Sequence, residues 1–215
     1  MSVVCLQGGN ELTPACRTMD EHLLSLAGDG PVVVVALASE RGSDYSRTTA
    51  NAARYFAELG AEVVVPEDPR RDPQQALDQV AGAALVFMTG GSPRRLRDAL
   101  AATGVGEAVV ARAERGAVIV GSSAGAMVAC ATTLLPQWRG RPDAGPGIGL
   151  VTGRVVVPHY DGKRATWVDV GLSVEPVVLG IPECSGVIVD GDVLGAIGVE
   201  APQVITAEGT TVLPL

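Results

Sequence analysis

The chain has 215 residues, 47% of them hydrophobic but only 3% aromatic, with a formal charge of −8. This length favours a single domain, 1–215, around one core, and the hydrophobic content excludes disorder. The acidic balance, without a Lys/Arg run long enough to track a phosphate backbone, argues against a nucleic-acid partner.

In chain order, strands and helices alternate over the first two thirds. SVVCLQ (2–7) is a strand-like run ended by Gly8-Gly9, and 14–28 has helical spacing with Gly28 as a stop. PVVVVALA (31–38) is the continuous apolar run expected of a strand buried on both faces. A helix over 43–60 closes at Gly60, a strand follows at 61–67, and a helix over 72–83 opens with Asp72 as N-cap and Pro73 at its first position. Next come a strand at 84–91, a helix at 92–103 capped by Ser92, a helix at 107–116 and a strand at 117–121. An apolar segment that reads as helix follows Ser123.

After residue 135 the texture changes. Residues 136–149 form a Pro/Gly-rich loop, 150–160 a strand-like run and 163–176 a helix. Short strands are expected at 177–181, 186–190, 193–198, 202–206 and 211–214, with Asp190-Gly191 as a hairpin turn. The fold class is therefore α/β, a three-layer sandwich with a mostly parallel sheet and a β-rich C-terminal third. In such sheets the functional crevice lies at the carboxyl ends of the strands, here residues 8–10, 38–42, 89–92 and 121–125.

The four cysteines, Cys5, Cys16, Cys130 and Cys184, show no CxxC spacing and so no sign of a zinc site or redox pair. Met1-Ser2 opens no basic and apolar leader, and the apolar runs are strand-length, well short of a membrane span. A cytoplasmic protein with no membrane partner is the expectation.

Gly121-Ser122-Ser123-Ala124-Gly125 matches G-x-S-x-G, with an apolar strand before it and a small-residue helix after it. That pattern places a serine on a strained strand-to-helix corner, beside the free N–H groups of a helix N-terminus. A serine hydroxyl needs a base to become nucleophilic at neutral pH. The chain holds two histidines: His22 reads as solvent-facing on an early helix, and His159 follows a β-branched run at a strand's end. His159 is the candidate base. To orient it, Glu183 leads, because a carboxylate between two apolar strand-like segments is costly unless paired; Asp143 is second. Gly90-Gly91 at a strand end and the N–H of Ala124 are candidate oxyanion donors.

These residues resemble the cyanophycinase and aspartyl dipeptidase (peptidase E) family of serine peptidases, whose fold is like class I glutamine amidotransferases. The resemblance rests on TGGSPRRL, GSSAGAMV, PHYDGKR and LGIPECSGVIVDGD, in the family's order and spread over most of the chain. It implies a serine hydrolase cleaving a small substrate with an aspartyl or β-aspartyl residue. By matching motif positions, Ser123 is its nucleophile, His159 its base, Glu183 its acid in the cyanophycinase pattern, and Gly91 and Ala124 its oxyanion donors; accounts of the dipeptidase branch that place an Asp between Ser and His would point to Asp143. Ser92 stands where characterised branches carry Asn or Asp, and Tyr160-Asp161-Gly162-Lys163-Arg164 departs from the Gln- and Arg-rich cyanophycinase segment, so the catalytic parts carry over better than the substrate. Serine at the elbow, where class I amidotransferases carry Cys, argues against glutaminase work.

A substrate carboxylate calls for arginine, whose planar fork binds it in two places. Arg94 and Arg164 are the first choices, with Ser92 beside them; Arg41, Arg47 and Arg95, and Gln7 and Asn10 around Gly8-Gly9, also border the strand ends. No metal or organic cofactor is required by this chemistry, and the family accommodates monomers and homodimers. Two other classes stay open: a non-catalytic amidotransferase-like binding or regulatory protein, and an esterase of α/β-hydrolase type.

Overall fold

Four consecutive valines, Val32–Val35, are all buried, and so are Val4–Gln7, Leu85–Met88 and Val118–Ser122. Strands buried on both sides belong in the middle of a parallel sheet covered by helices. The computed structural model describes residues 3–138, 140–191 and 193–215. Ser2 of the expected first strand and Arg139 of the expected loop lie outside the described residues.

In chain order the elements are β1 (Val4–Gln7), α1 (Arg17–Leu26, after a 3-10 turn at Pro14–Cys16), β2 (Val32–Val35), α2 (Ser43–Glu58), β3 (Val63–Val64), α3 (Gln74–Gly82), β4 (Leu85–Met88), α4 (Pro93–Thr103), α5 (Val105–Glu114), β5 (Val118–Ser122) and α6 (Ala124–Ala129). There follow β6 (Thr132–Leu135), β7 (Asp143–Pro146), β8 (Arg154–Pro158), α7 (Ala165–Val174), β9 (Val177–Ile181), β10 (Ser185–Asp190), β11 (Val193–Gly198), β12 (Gln203–Thr206) and β13 (Gly209–Val212).

The large sheet has seven strands in the order β11-β10-β1-β5-β4-β2-β3. Its β1-β5-β4-β2-β3 portion is parallel, and the β10-β11 hairpin, which turns after Asp190 where that residue pairs with Val193, adds to β1 antiparallel. Side chains alternate between its faces. Val33, Val35, Val86, Met88 and Ile119 join Val80, Leu96, Leu100 and Val109 on one side. Val32, Leu85, Phe87, Val118 and Val120 meet Met19, Leu23 and Phe56 on the other. Phe56 and Phe87 cross edge-to-face with centroids 5.0 Å apart; each buried ring contributes about 1.5–3 kcal/mol. A four-stranded sheet, β13-β12-β9-β8, packs Val155, Val157, Leu179 and Ile181 into the first of these cores.

Register places the site. Gln7 pairs with Ser122, Met88 with Gly121 and Val35 with Met88, so the strand ends stand at one level. In the smaller sheet Pro158 pairs with Ile181, and the segments leaving β8 and β9 emerge side by side.

Two local expectations are corrected. Residues 136–149 are not all loop: β7 pairs antiparallel with β6. Asp-Ala-Gly-Pro has little strand propensity of its own, and pairing with the apolar Thr132–Leu135 run imposes the conformation. The helix after Pro73 starts at Gln74, with Pro73 rather than Asp72 at the cap position. Asp72 still satisfies an orphan donor, because its Oδ1 accepts from the Gln74 amide at 3.1 Å. Ser92 caps α4 as expected, its hydroxyl accepting from the Arg95 amide at 3.3 Å. Among the described residues no helix is long and apolar enough to cross a membrane.

Candidate active site

β5 ends at Ser122, and Ser123 turns the chain into α6 with φ 49° and ψ −106°. Such a conformation costs a non-glycine residue about 1–3 kcal/mol and persists only where its surroundings impose it. They do. The Ser123 amide donates to the Gln7 carbonyl at 2.9 Å, and its carbonyl accepts from the Met127 amide at 3.0 Å. The corner is also too tight for side chains: a Cβ on Gly125 would stand 2.3 Å from the Met88 carbonyl oxygen. This is the strained strand-to-helix turn that the G-x-S-x-G spacing announced.

His159 leaves β8 with a positive φ of 50°. Its amide donates to the Gly8 carbonyl at 2.8 Å. Ser123 Oγ lies 2.9 Å from His159 Nε2, and His159 Nδ1 lies 2.8 Å from Glu183 Oε1. If the serine hydroxyl donates to Nε2, the Nδ1 proton donates to the carboxylate, and this fixes the tautomer in which Nε2 is free to take a proton. The three side chains thus form one hydrogen-bonded chain, from a hydroxyl through an imidazole to a carboxylate.

Glu183 arrives from an unforeseen setting. It is not enclosed between apolar strands; its side chain is 53% exposed, against 36% for His159. β9 belongs to the smaller sheet and β10 to the larger, and in the turn joining them Pro182 and Cys184 are buried while Glu183 between them is exposed. Asp143 lies on β7, where its carboxylate accepts from Gln137 Nε2. Among the described residues no hydrogen bond joins Asp143 to His159. The acid brought to the imidazole therefore follows it in the chain, whereas the α/β-hydrolase order requires acid before histidine.

The Gly90-Gly91 loop faces the corner from β4. Gly91 has φ +136°, and a Cβ there would lie 2.8 Å from the Ala38 carbonyl oxygen, so only glycine fits. The Gly90 amide donates to Glu11 Oε1 at 2.7 Å and the Ser92 amide to the Ala38 carbonyl at 3.2 Å. Between these two committed neighbours, the Gly91 amide has no acceptor among the described residues. The Ala124 amide opens α6 beside Ser123.

The arginines separate into held and unheld. Arg164 Nε donates to the His159 backbone carbonyl at 3.2 Å, which ties its guanidinium to the segment that carries the imidazole. Arg95 is tied to the Ala38 carbonyl and Glu40, and Arg47 to Asp44. Arg94 is exposed on the first turn of α4. Gln7 is buried with Nε2 donating to Asp20 at 2.8 Å, so it braces the strand end and does not border the crevice; Asn10 is exposed there. His22 is exposed on α1, as expected.

All four cysteines are free and buried. Burial pushes the Cys130 thiol up to about 12, with the Glu175 charge adding to it, which leaves almost no thiolate near neutral pH. Among the described residues no group of three or more His, Cys, Asp or Glu is placed to hold a metal ion. Glu11, which carried no sequence motif, is the residue the spacing did not single out: its only signal was an acid two positions beyond Gly8-Gly9 at a strand end.

Comparison with known proteins agrees with this architecture. A peptidase from an acI-B1 Actinobacterium superposes with a TM-score of 0.80 at 19% identity, covering 99% of this chain and 97% of its own. A putative peptidase E protein from Listeria monocytogenes EGD-e superposes with a TM-score of 0.70 at 15% identity, covering 93% of this chain and 100% of its own. No curated protein was found to match the chain. The profile of peptidase family S51 matches residues 4–195, nearly the whole length. With the Ser-Ala-Gly-Ala elbow and the parallel sheet behind it, this chain belongs to peptidase family S51, the peptidase E and cyanophycinase family of serine peptidases.

Proposed function

We propose that this serine peptidase cleaves the peptide bond of a small substrate carrying an aspartyl or β-aspartyl residue, with Ser123 as nucleophile. Ser123 Oγ attacks the substrate carbonyl while His159 Nε2 takes its proton, and the Glu183 carboxylate stabilises the imidazolium that results. The amides of Gly91 and Ala124 donate to the oxyanion of the tetrahedral intermediate. Collapse expels the leaving amine with the proton returned from Nε2, and water then hydrolyses the acyl-enzyme by the same relay. The steps use only side chains and backbone donors of this chain.

One observation carries this reading: the continuous Ser123–His159–Glu183 contact, at 2.9 and 2.8 Å, at a corner strained to present the serine. For the acidic substrate the support is the family resemblance together with Arg164, tied to the His159 carbonyl, and with Arg94 and Ser92 at the start of α4 as further candidate contacts. The experiment is a panel of Asp-X, isoaspartyl, basic and neutral dipeptides. Turnover is expected for the aspartyl members and abolished by Ser123→Ala with folding intact; equal activity in that variant overturns the proposal.

A further inference from the structure

The four segments of the candidate site meet at one short stretch, the exit of β1. The Gln7 carbonyl accepts from the Ser123 amide at 2.9 Å, the Gly8 carbonyl from the His159 amide at 2.8 Å, and the Gly9 carbonyl from the Cys184 amide, next to Glu183, at 2.9 Å. Those three contacts are made by backbone atoms alone. The fourth is made by a side chain. Glu11 Oε1 accepts from the Gly90 amide at 2.7 Å, and Glu11 Oε2 accepts from the Ser122 hydroxyl at 2.9 Å.

We infer that Glu11 is a positioning residue for transition-state stabilisation: its carboxylate clamps the Gly90-Gly91 loop to the nucleophile corner and so sets the spacing of the two oxyanion donors. Each end of the clamp lies one peptide from a donor or nucleophile, Gly90 before Gly91 and Ser122 before Ser123. Committing the Gly90 amide to Glu11 turns the next peptide, with the Gly91 amide, away from that bond. The surroundings are shaped for the carboxylate. A Cβ on Gly90 would stand 2.6 Å from Glu11 Oε1, so the first glycine of the pair makes room for Glu11 while the second supplies the turn. Asn10 and Leu12, on either side, both have positive φ, 57° and 60°. Left-handed backbone at a leucine is strained and persists only when neighbouring contacts hold it.

This rests on the serine-peptidase reading of Ser123 and goes beyond it. Donors placed for the oxyanion act on the transition state more than on bound substrate, so their misplacement lowers kcat and leaves KM nearly unchanged. A displacement of about 1 Å costs about 100-fold. Glu11→Ala is therefore expected to lower kcat by about 10–100-fold with KM within about threefold of wild type. Glu11→Gln, which keeps an acceptor for the Gly90 amide and offers an amide donor to the Ser122 hydroxyl, is expected to recover most of that loss. A purely structural role would lower the thermal midpoint without this split.

The decisive experiment measures the rate of covalent labelling by a serine-directed fluorophosphonate, which needs no knowledge of the natural substrate. Wild type, Glu11→Ala, Glu11→Gln and Ser122→Ala are compared, each with its thermal midpoint. Slower labelling in Glu11→Ala and Ser122→Ala by about tenfold or more, with recovery in Glu11→Gln, supports the clamp; should Glu11→Ala not fold, Ser122→Ala carries the same test by removing one of the two bonds. Labelling at the wild-type rate in folded Glu11→Ala or Ser122→Ala overturns the clamp while leaving the nucleophile intact. No labelling of the wild type overturns both readings.

Discussion

The Cα of Gly9 lies against the imidazole of His159: a Cβ at that glycine would stand 2.2 Å from His159 Cε1 and 2.7 Å from Nε2. A backbone without a side chain thus forms one wall of the slot in which the ring faces Ser123. Gly9→Ala must push the ring aside, and φ +108° adds strain of its own. A loss of about 100-fold or more in kcat is expected from steady-state kinetics. Activity within about threefold of wild type would mean that the ring has room to move without consequence.

Ser123→Gly separates chemistry from backbone strain. Glycine tolerates positive φ, so about 1–3 kcal/mol of strain is relieved, against about 0.5–1 kcal/mol of extra unfolded-state entropy. The variant is expected to be inactive yet more stable by about 1 kcal/mol, a rise of roughly 2–4 °C in thermal midpoint. Calorimetry checks it; a lower midpoint would show that the corner is not strained.

Glu183 and Asp143 are distinguished by one pair of substitutions. Glu183→Gln leaves a weaker partner for the Nδ1 proton, and for a half-exposed carboxylate a loss of about 10–100-fold in kcat is expected. Asp143→Asn, on β7 and bonded to Gln137, is expected to stay within about twofold. The opposite ranking in steady-state assays would assign the acid to Asp143.

Asp20 supplies a pH signature behind the site. Burial pushes its carboxyl up to about 6 from an ordinary 3.8, in spite of hydrogen bonds from Tyr55 and Gln7 that lower it, with the nearby Glu11 charge adding to the rise. Between those two values the folded state binds more protons than the unfolded chain, so this group's contribution to stability falls as pH rises from about 4 to about 6 and stays low above that. The shift corresponds to roughly 3 kcal/mol. Asp20→Asn removes this slope. The difference in thermal midpoint between the variant and wild type is expected to move in the variant's favour across that window, and a difference independent of pH would contradict it.

Much of this was legible in the sequence, and the reasons are local. Continuous valine runs specified strands buried on both faces, and Ser92-Pro93 specified a helix start, because capping and burial act over a few residues. The serine corner was legible because a strained turn admits few side chains. Glu183 was reached by an argument from burial that the fold does not honour; its exposure depends on where two different sheets end, which no local pattern encodes. Strand β7 was hidden by Gly145 and Pro146, since its conformation comes from pairing with β6. Glu11 was invisible for the same kind of reason: its partners, Gly90 and Ser122, lie 79 and 111 residues away.

Identifying the residue modified by a serine-directed phosphonate, by intact mass and peptide mapping, tests the central claim most directly. A single adduct on Ser123, absent in Ser123→Ala and formed far more slowly in His159→Ala, is the expected result. An adduct on another residue, or labelling that ignores the loss of His159, would contradict it.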